Sequence, residues 1–394
     1  MKRFALFTIV AILLVQVTAQ GQSIGGINIF GYYQGQFEQS NVQGDFARQW
    51  NTFGLQQMNL LLEKDLGSSI SGFVGLQFSG NYASDKSWGS FNVEEAWMKY
   101  SPVEYFNVKA GLLVPTFNNL NEIKTKTPLL PYVIRPLVYE SPMAALLAPS
   151  SFVPEKAFFQ IYGAFPVGSA KIDYSLFTGN NGPDFVSSTL GIAGSLSGQD
   201  TSKFKLFGGR VGIRTGSLKV GVSGTYDRNN PGNPVNLPSF FYGATPIYDA
   251  ASMLGSVVRV RVGADVSFQI AGVSFEGEVI SVNHSPTEAQ QAILDVLPLY
   301  TGNNLYSDLN KLFYYAAVSY DFNDQWYGFA TYSKYQDKFN MVFHAGMDCY
   351  GFGGGFRPTG SVVVKAQYAR FAMLDLKVAN YSMDRYTAAV SIYF

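Results

Sequence analysis

The chain has 394 residues with 28 basic and 28 acidic side chains, so its formal net charge at neutral pH is zero. Charged residues make up only 14% and aromatic residues 15%, and glycine occurs 40 times, a composition unlike that of most soluble domains. The single cysteine, Cys349, excludes an intramolecular disulfide, and the balanced charge gives no reason to expect a nucleic-acid partner.

The opening MKRFALFTIVAILLVQVTAQ predicts a secretory signal peptide over residues 1–19, cleaved after Ala19. Lys2 and Arg3 precede an apolar run that is too short to span a bilayer comfortably. We therefore expect an exported protein, and the near absence of cysteine favours a bacterial envelope over eukaryotic secretion. Residues 20–26 are predicted to be a short N-terminal extension, and residues 27–394 a single domain.

The remaining chain is predicted to be strands and little else. No run of 18 apolar residues follows the signal, which excludes helical membrane spans. Sixteen stretches have strand character: residues 27–38, 52–64, 69–80, 91–100, 104–113, 156–165, 169–178, 203–214, 217–227, 255–269, 273–282, 311–321, 325–336, 346–357, 361–372 and 384–394. The predicted fold is all-β, a transmembrane antiparallel β-barrel of about 16 strands with an aqueous lumen.

Every second connection between these strands is short and rich in turn residues, as at Asp65–Gly67, Pro166–Gly168, Thr215–Gly216 and Ala271–Gly272. The connections between them are predicted to be long and polar. This alternation is typical of outer-membrane barrels, with short turns in the periplasm and long loops outside.

Residues 92–120, NVEEAWMKYSPVEYFNVKAGLLVPTFNNL, precede a segment that contains KTPLLPYVIRPLVYES. This part of the chain resembles the porin superfamily that includes the phosphate-selective porins O and P. Gly111 and Pro115 match the family pattern, and Arg135 stands where the family often has basic residues in a constriction loop. The resemblance covers about a quarter of the chain and implies a homotrimer. Phosphate selectivity is not implied, because this chain is not enriched in basic residues.

The last strand, RYTAAVSIYF, alternates apolar and polar residues and ends on Phe394. It resembles the C-terminal signature of outer-membrane proteins, which implies recognition by the barrel-assembly machinery and contact with outer-membrane lipid and lipopolysaccharide. The alternative is an ordinary C-terminal edge strand.

The segment between Thr116 and Lys156 is longer than a surface hairpin needs, and such loops are usually functional. We expect it to fold inward as a third-loop constriction that buries its apolar residues 144–149 and presents cations to passing anions. The alternative is an external loop packed on a trimer neighbour or on lipopolysaccharide. From the loop, the predicted pore-lining residues are Lys124, Lys126, Tyr132, Arg135 and Tyr139.

Alternation also predicts which wall residues face the lumen. Because Val258, Val260 and Val262 form one face of their strand, the charges between them point the other way. The predicted pore-lining wall residues are Arg210, Arg259, Arg261, Asp265, Glu276, Glu278, Lys365 and Arg385. The alternative is that these charges pair across neighbouring strands and only keep the lumen wet.

Catalytic and metal sites find little support. Glu94 and Glu95 are adjacent on a strand, so they are expected to face opposite sides. His284 and His344 each stand alone, which argues against a zinc site. The stretch from Asp227 to Asn233 offers oxygen ligands for calcium, but a plain polar turn is the favoured interpretation. In residues 351–356, GFGGGF, the glycines are expected to mark bends or close contacts and not a phosphate loop. We expect no enzyme activity and no cofactor.

Together these features predict an outer-membrane porin for the passive diffusion of small polar or anionic solutes. Two alternatives stay open: a non-conducting barrel that serves as a scaffold for a secretion or motility machine, and a channel for hydrophobic solutes. The sequence does not identify the solute.

Overall fold

The computed structural model of the chain describes residues 22–44, 47–81, 90–124, 126–140, 152–181, 204–229, 256–296, 310–337, 345–374 and 381–394. The predicted signal peptide and the apolar residues 144–149 lie outside these ranges and stay predictions. Among the described residues, no helix is both long enough and apolar enough to cross a membrane.

Seventeen strands account for most of the described chain. They are β1 (Gln22–Ile24), β2 (Ile27–Gly44), β3 (Arg48–Gly67), β4 (Ile70–Asn81), β5 (Ser90–Val103), β6 (Phe106–Leu113), β7 (Ala157–Val167), β8 (Ala170–Asn180), β9 (Lys205–Thr215), β10 (Leu218–Asn229), β11 (Val257–Ile270), β12 (Val273–Ser285), β13 (Lys311–Asp321), β14 (Trp326–Asp337), β15 (Ala345–Thr359), β16 (Val362–Leu374) and β17 (Tyr381–Tyr393). Within the described ranges, one helix, α1 (Glu288–Val296), follows β12, and two short 3₁₀ turns occupy Thr127–Leu129 and Leu137–Tyr139.

Strands β2 to β17 form a closed antiparallel barrel of sixteen strands, as predicted. Each strand pairs with the next along the chain, and β17 closes the ring on β2 from Tyr381↔Gly44 to Tyr393↔Tyr32. Closure leaves no open sheet edge in the barrel, so the backbone polar groups of every strand are satisfied within the sheet.

The short turns lie together at one end of the barrel, as predicted. Gly168, Gly216 and Gly272 in these turns have positive φ angles of 61, 52 and 81°, a conformation that glycine adopts at little cost. The first connection at the other end was expected to be long, but β2 and β3 continue to Gly44 and Arg48 and leave only residues 45–47 between them. The polar residues of these extensions lack the apolar alternation from which a strand is recognised.

Two elements were missed. β1, within the predicted extension, pairs with the start of β2. α1 begins with a capping box, since the side chains of Thr287 and Gln290 each accept the other's backbone N–H, at 3.3 and 3.0 Å. The sequence Thr-Glu-Ala-Gln carried that signal.

Candidate functional site

The chain between β6 and β7, residues 114–156, is called the inward segment here because its described residues contact the inner face of distant strands. The backbone N–H of Asn118 donates to Ser223 Oγ on β10 at 2.9 Å, and that of Leu120 donates to Glu278 Oε1 on β12 at 2.6 Å. Further along, Tyr327 on β14 and Tyr393 on β17 donate their hydroxyls to the carbonyls of Pro131 and Pro128. The segment therefore crosses the interior of the barrel to the wall opposite its own strands.

An apolar cluster joins the inward segment to this wall. Phe152 packs edge-on against Phe313 and Tyr335, with ring centroids 6.4 and 5.3 Å away, and Tyr139 packs against Phe313 at 6.1 Å. Further buried members are Leu113, Phe117, Leu120, Ile134, Leu137, Ile280, Phe329, Met347, Cys349, Phe371 and Met383. The inner face of β13–β17 is thus partly apolar, whereas simple alternation predicts a polar lining. Burying each such side chain stabilises the segment by roughly 1.5 to 3 kcal/mol.

Two tyrosines of the segment bind carboxylates of β12. Tyr132 donates its hydroxyl to Glu276 Oε1 at 2.8 Å, and Tyr139 donates to Glu278 Oε2 at 3.0 Å. Both tyrosines are fully buried or nearly so. All four residues belong to the predicted pore-lining set, and the structure brings them together in hydrogen bonds that attach the segment to the wall.

Arg135 and Glu140 form a buried pair inside the segment. Arg135 Nε lies 3.8 Å from Glu140 Oε2, its backbone N–H donates to the same oxygen at 2.8 Å, and its guanidinium donates to the carbonyl of Lys124. Arg385 of β17 reaches Glu140 at 3.6 Å and Glu38 of β2 at 3.3 Å. Burial raises the pKa of the Glu140 carboxyl, and the two neighbouring arginines oppose that shift. Arg135 was expected to present its charge to solutes, but this burial and pairing prevent it.

Lys365 of β16 is also withdrawn from the lumen. Its ammonium donates to the carbonyls of Leu130 at 2.6 Å and Pro128 at 2.8 Å, and its side chain is almost fully buried. Two residues further along β16, on the same face, Gln367 Oε1 accepts the backbone N–H groups of Val133 and Ile134 at 2.7 and 2.8 Å. These two side chains satisfy backbone groups of a segment that has no regular secondary structure of its own.

The wall arginines face inward as predicted, but they pair with aspartates on the adjacent strand or, for Arg210 and Asp265, across one intervening strand. Arg259 and Arg261 of β11 reach Asp227 Oδ2 at 2.5 and 3.1 Å. Arg210 of β9 contacts Asp265 at 2.7 Å and Asp173 at 2.6 Å. The alternative of cross-strand pairing is therefore correct for this group. Because Asp227 is already bound by two arginines, its carboxylate is a poor candidate for the predicted calcium ligand. Residues 230–233 of that stretch lie outside the described ranges.

The glycines of β15 make room for aromatic rings, as predicted. A Cβ at Gly353 would collide with the carbonyl of Ala366 and the ring of Phe329, and a Cβ at Gly355 would collide with the ring of Tyr327. Tyr327 and Phe329 lie across these glycines, and Phe329 packs against Tyr132 with centroids 6.3 Å apart. Glycine here lets β14 support the inward segment.

The expectation that Glu94 and Glu95 face opposite sides was wrong. The register of β4 with β5 jumps from Gly75↔Glu95 to Leu76↔Val93, so Glu94 is the extra residue of a β-bulge. Both side chains consequently reach the ends of the inward segment. Glu95 Oε1 accepts the backbone N–H of Val114 at 3.3 Å, and Glu94 Oε1 lies 3.2 Å from Lys156 Nζ.

Burial differs between the two sides of the barrel interior. The inward charges of β11–β17 are nearly all covered, whereas several of those on β5–β10 stay accessible, although Arg210 and Asp227 are buried in their ion pairs. Lys171 and Arg214 are about half exposed, at 51% and 49%, and Lys219 is partly exposed. Lys171 and Lys219 each pair in register with Arg214, so three cations stand side by side on β8–β10. Their carboxylate neighbours are Glu104 and Asp173, which leaves a basic excess on this wall.

Lys99 and Lys109 continue this wall on β5 and β6, and sequence reasoning missed both. They are paired directly opposite each other, and neither contacts a carboxylate among the described residues. Like charges so placed repel each other. Lys109 lies 4.6 Å above the ring of Trp97, which stacks on Phe73 at 4.8 Å. Strand alternation could have revealed Lys99, because its neighbours Met98 and Tyr100 are exposed on the outer face and Lys99 must therefore point inward.

Lys124 and Lys126 of the segment are partly exposed, as expected for lumen cations. Lys124 donates to Asn121 Oδ1 at 2.8 Å. Desolvation lowers the pKa of its ammonium to about 8, against the opposing attraction of Glu155 and Glu94. Two carboxylates, Glu94 and Glu155, thus act on Lys124 together with the cations Lys156 and Arg135, whereas the basic excess lies on β5–β10.

No group of three or more His, Cys, Asp or Glu side chains is placed to hold a metal ion in the described part of the chain. His284 lies buried at the end of β12. His344 is outside the described residues.

Comparison with known proteins identifies the fold. No protein-family model matches the chain, and no curated protein sequence matches it significantly. Solved structures do. An anion-selective porin from Comamonas acidovorans aligns with a TM-score of 0.58 at 12% identity, over 93% of this chain and 99% of the porin. Salmonella typhi OmpF, solved with daunomycin, gives 0.57 at 11% identity over 94% and 98%. Pseudomonas putida OprB gives 0.56 at 12% identity over 94% of each chain. The chain therefore has the fold of the bacterial outer-membrane porins, a closed barrel of sixteen antiparallel strands.

Proposed function

We propose that the protein is an outer-membrane channel for the passive diffusion of small polar solutes, with a preference for anions. The observation that carries this proposal is the uneven burial of the barrel interior. The inward segment packs on β10–β17, while the inner face of β5–β9 keeps accessible charged and aromatic side chains. The solute path runs between the segment and that uncovered wall. Similar barrels include an anion-selective porin and an outer-membrane channel, DcaP of Acinetobacter baumannii.

The anion preference rests chiefly on the wall, and Lys124 of the inward segment adds a smaller part. Lys99, Lys109 and Lys219 have no carboxylate partner among the salt bridges of the described residues, and a low-dielectric wall strengthens their field in the path. Lys124 stands near Glu94 and Glu155, which offset its charge. The cations of β5–β10 therefore set the selectivity.

Reversal-potential measurements across a planar bilayer with a KCl gradient test this assignment. Replacing Lys99 and Lys109 together by glutamate is expected to move the reversal potential toward cation selectivity. Lys64→Glu is the matched control, because Lys64 lies at the same end of the barrel but alternates onto the outer face of β3. Heat-modifiable migration in gels checks that each variant forms a barrel. An unchanged reversal potential in the double variant would show that these lysines do not line the path.

One observation favours a second candidate, a barrel that does not conduct. The inward segment buries an extensive apolar cluster against the wall, which is more than a narrow constriction requires. Absence of current from folded wild-type protein would support a scaffold role and reject the channel.

A further inference from the structure

The outer face of the last four strands carries one arrangement twice. Tyr332 and Lys334 on β14 stand beside Asp348 and Tyr350 on β15, in the order Tyr-x-Lys and Asp-x-Tyr. The same order recurs 36 residues later, as Tyr-x-Arg on β16 and Asp-x-Tyr on β17, with Tyr368, Arg370, Asp384 and Tyr386. In both copies the cation and the aspartate are register partners.

The two copies also share their contacts. Tyr332 donates its hydroxyl to Asp348 Oδ1 at 2.9 Å, and Tyr368 donates to Asp384 Oδ1 at 2.7 Å. Lys334 Nζ and Arg370 NH1 lie farther from the same oxygens, at 3.7 and 3.8 Å.

These side chains point away from the lumen. Cys349 and Arg385, the residues between Asp and Tyr in each copy, are buried against the inward segment, so their strand neighbours lie on the outer face. Tyr350 and Tyr386 are accordingly half exposed. Charges on the lipid face of a barrel cost about 2 to 4 kcal/mol at the membrane midplane and almost nothing near its surfaces. The arrangement therefore belongs at the head-group level of the membrane.

The accessible part of the arrangement is positive. The aspartates are 12% exposed in each copy and lie under the tyrosine hydroxyls, whereas Arg370 is 49% and Lys334 22% exposed. At their long separations the cations keep N–H donors free for another acceptor. Lys334 and Arg370 are two strands and two residues apart, which places their Cα atoms about 12 Å from each other. A disaccharide phosphorylated at both ends covers such a span.

We propose that this outer face of β14–β17 binds a bis-phosphorylated glycolipid of the outer leaflet, with Lys334 and Arg370 each holding one phosphate and the tyrosine rings lying against its sugars and upper acyl chains. Aromatic rings favour this depth of a membrane. The inference rests on the membrane and orientation proposed above, with the short turns in the periplasm.

Native mass spectrometry of delipidated protein with bis-phosphorylated lipid A tests the site. Lys334→Gln combined with Arg370→Gln is expected to weaken binding at least about tenfold, because each cation near a membrane surface contributes on the order of 1 kcal/mol toward anionic lipid. Lys334→Arg combined with Arg370→Lys keeps both charges and should bind like wild type. Wild-type protein should bind monophosphorylated lipid A about as weakly as the Lys334→Gln or the Arg370→Gln variant alone binds the bis-phosphorylated form.

Arg357→Gln is the control, because it removes one guanidinium at the opposite end of the barrel and should leave lipid A binding unchanged. Equal affinity of wild type and the double variant overturns the proposal. So does a variant that loses a homo-oligomer while keeping its lipid, since the face would then join copies of this chain. Conductance is recorded on the same samples, so failure of the lipid site and failure of the channel are read separately.

Discussion

The backbone conformation near the end of β6, just before the inward segment, requires glycine at position 111. Its φ of 126° is unfavourable for any other residue, and a Cβ would meet the carbonyl of Ala96 and the Cα of Trp97. We expect Gly111→Ala to lower the free energy of unfolding by roughly 1 to 3 kcal/mol, measured by urea unfolding in lipid vesicles. Gly168→Ala is the control: its φ is +61° but nothing lies within 4 Å, so its cost should be the smaller one. Equal costs would mean that close packing at Gly111 is unimportant.

We expect Lys124 to make the selectivity of the proposed channel sensitive to mildly alkaline pH. Its ammonium has a pKa of about 8, so it is mostly charged at pH 7 and mostly neutral at pH 9. Since only the charged form attracts anions, anion preference should decrease as pH rises through this value. Reversal potentials between pH 7 and 9 measure the change, and Lys124→Arg should remove this component because arginine stays charged. An identical pH response in that variant would exclude Lys124 as its source.

At the residue scale, the sequence predicted which face of the barrel a side chain points to better than which groups it contacts there. Strand alternation correctly placed Arg210, Arg259 and Arg261 on the inner face. It could not reveal that Asp227 and Asp265 lie within contact distance of these arginines, because contacts between strands depend on the register of segments distant in the chain. The bulge at Glu94 likewise has no local sequence signal, yet it reverses the expected orientation of one side chain.

At the scale of elements, the inward segment depends on Lys365 for much of its attachment. Lys365→Met keeps most of the length of the side chain but removes the ammonium donor from the Leu130 carbonyl and leaves the Pro128 carbonyl with the Tyr393 hydroxyl alone. The unsatisfied Leu130 carbonyl should cost roughly 1 to 3 kcal/mol. We expect faster hydrogen exchange in residues 127–134 and noisier single-channel current, with the barrel strands unchanged. Lys219→Met removes a wall lysine that has no hydrogen bond or ion pair to the described part of the segment, so hydrogen exchange in residues 127–134 should stay as in wild type. Unchanged exchange in Lys365→Met would show that the apolar cluster alone holds the segment.

The length of the segment was readable from the sequence, but its packing was not. An unstructured stretch with Tyr132, Leu137 and Tyr139 suggests burial, and the polar wall expected from alternation offers no partner for it. The partner is the inner face of β13–β17, where Phe313 and Phe371 face inward although their strands also carry apolar residues outward. A strand that is apolar on both faces gives no period-2 signal, so the cluster could not be anticipated.

At the scale of the whole molecule, the barrel itself was predictable because its signals are local and repeated. Each hairpin combines a turn such as Pro166–Gly168 with flanking strands of alternating polarity. With sixteen such strands, closing the sheet into a barrel is what pairs both edge strands. What local signals lack is the three-dimensional distribution of charge. The basic wall of β5–β10 arises from cations such as Lys171 and Arg214 that are far apart in the sequence and are register partners in the barrel.

Single-channel recording of purified wild-type protein in planar bilayers tests the central claim most directly. We predict stepwise, ohmic openings and, in a KCl gradient, a reversal potential on the anion-selective side. Folded protein that inserts into the bilayer and passes no current, or that passes cations preferentially, would contradict the account.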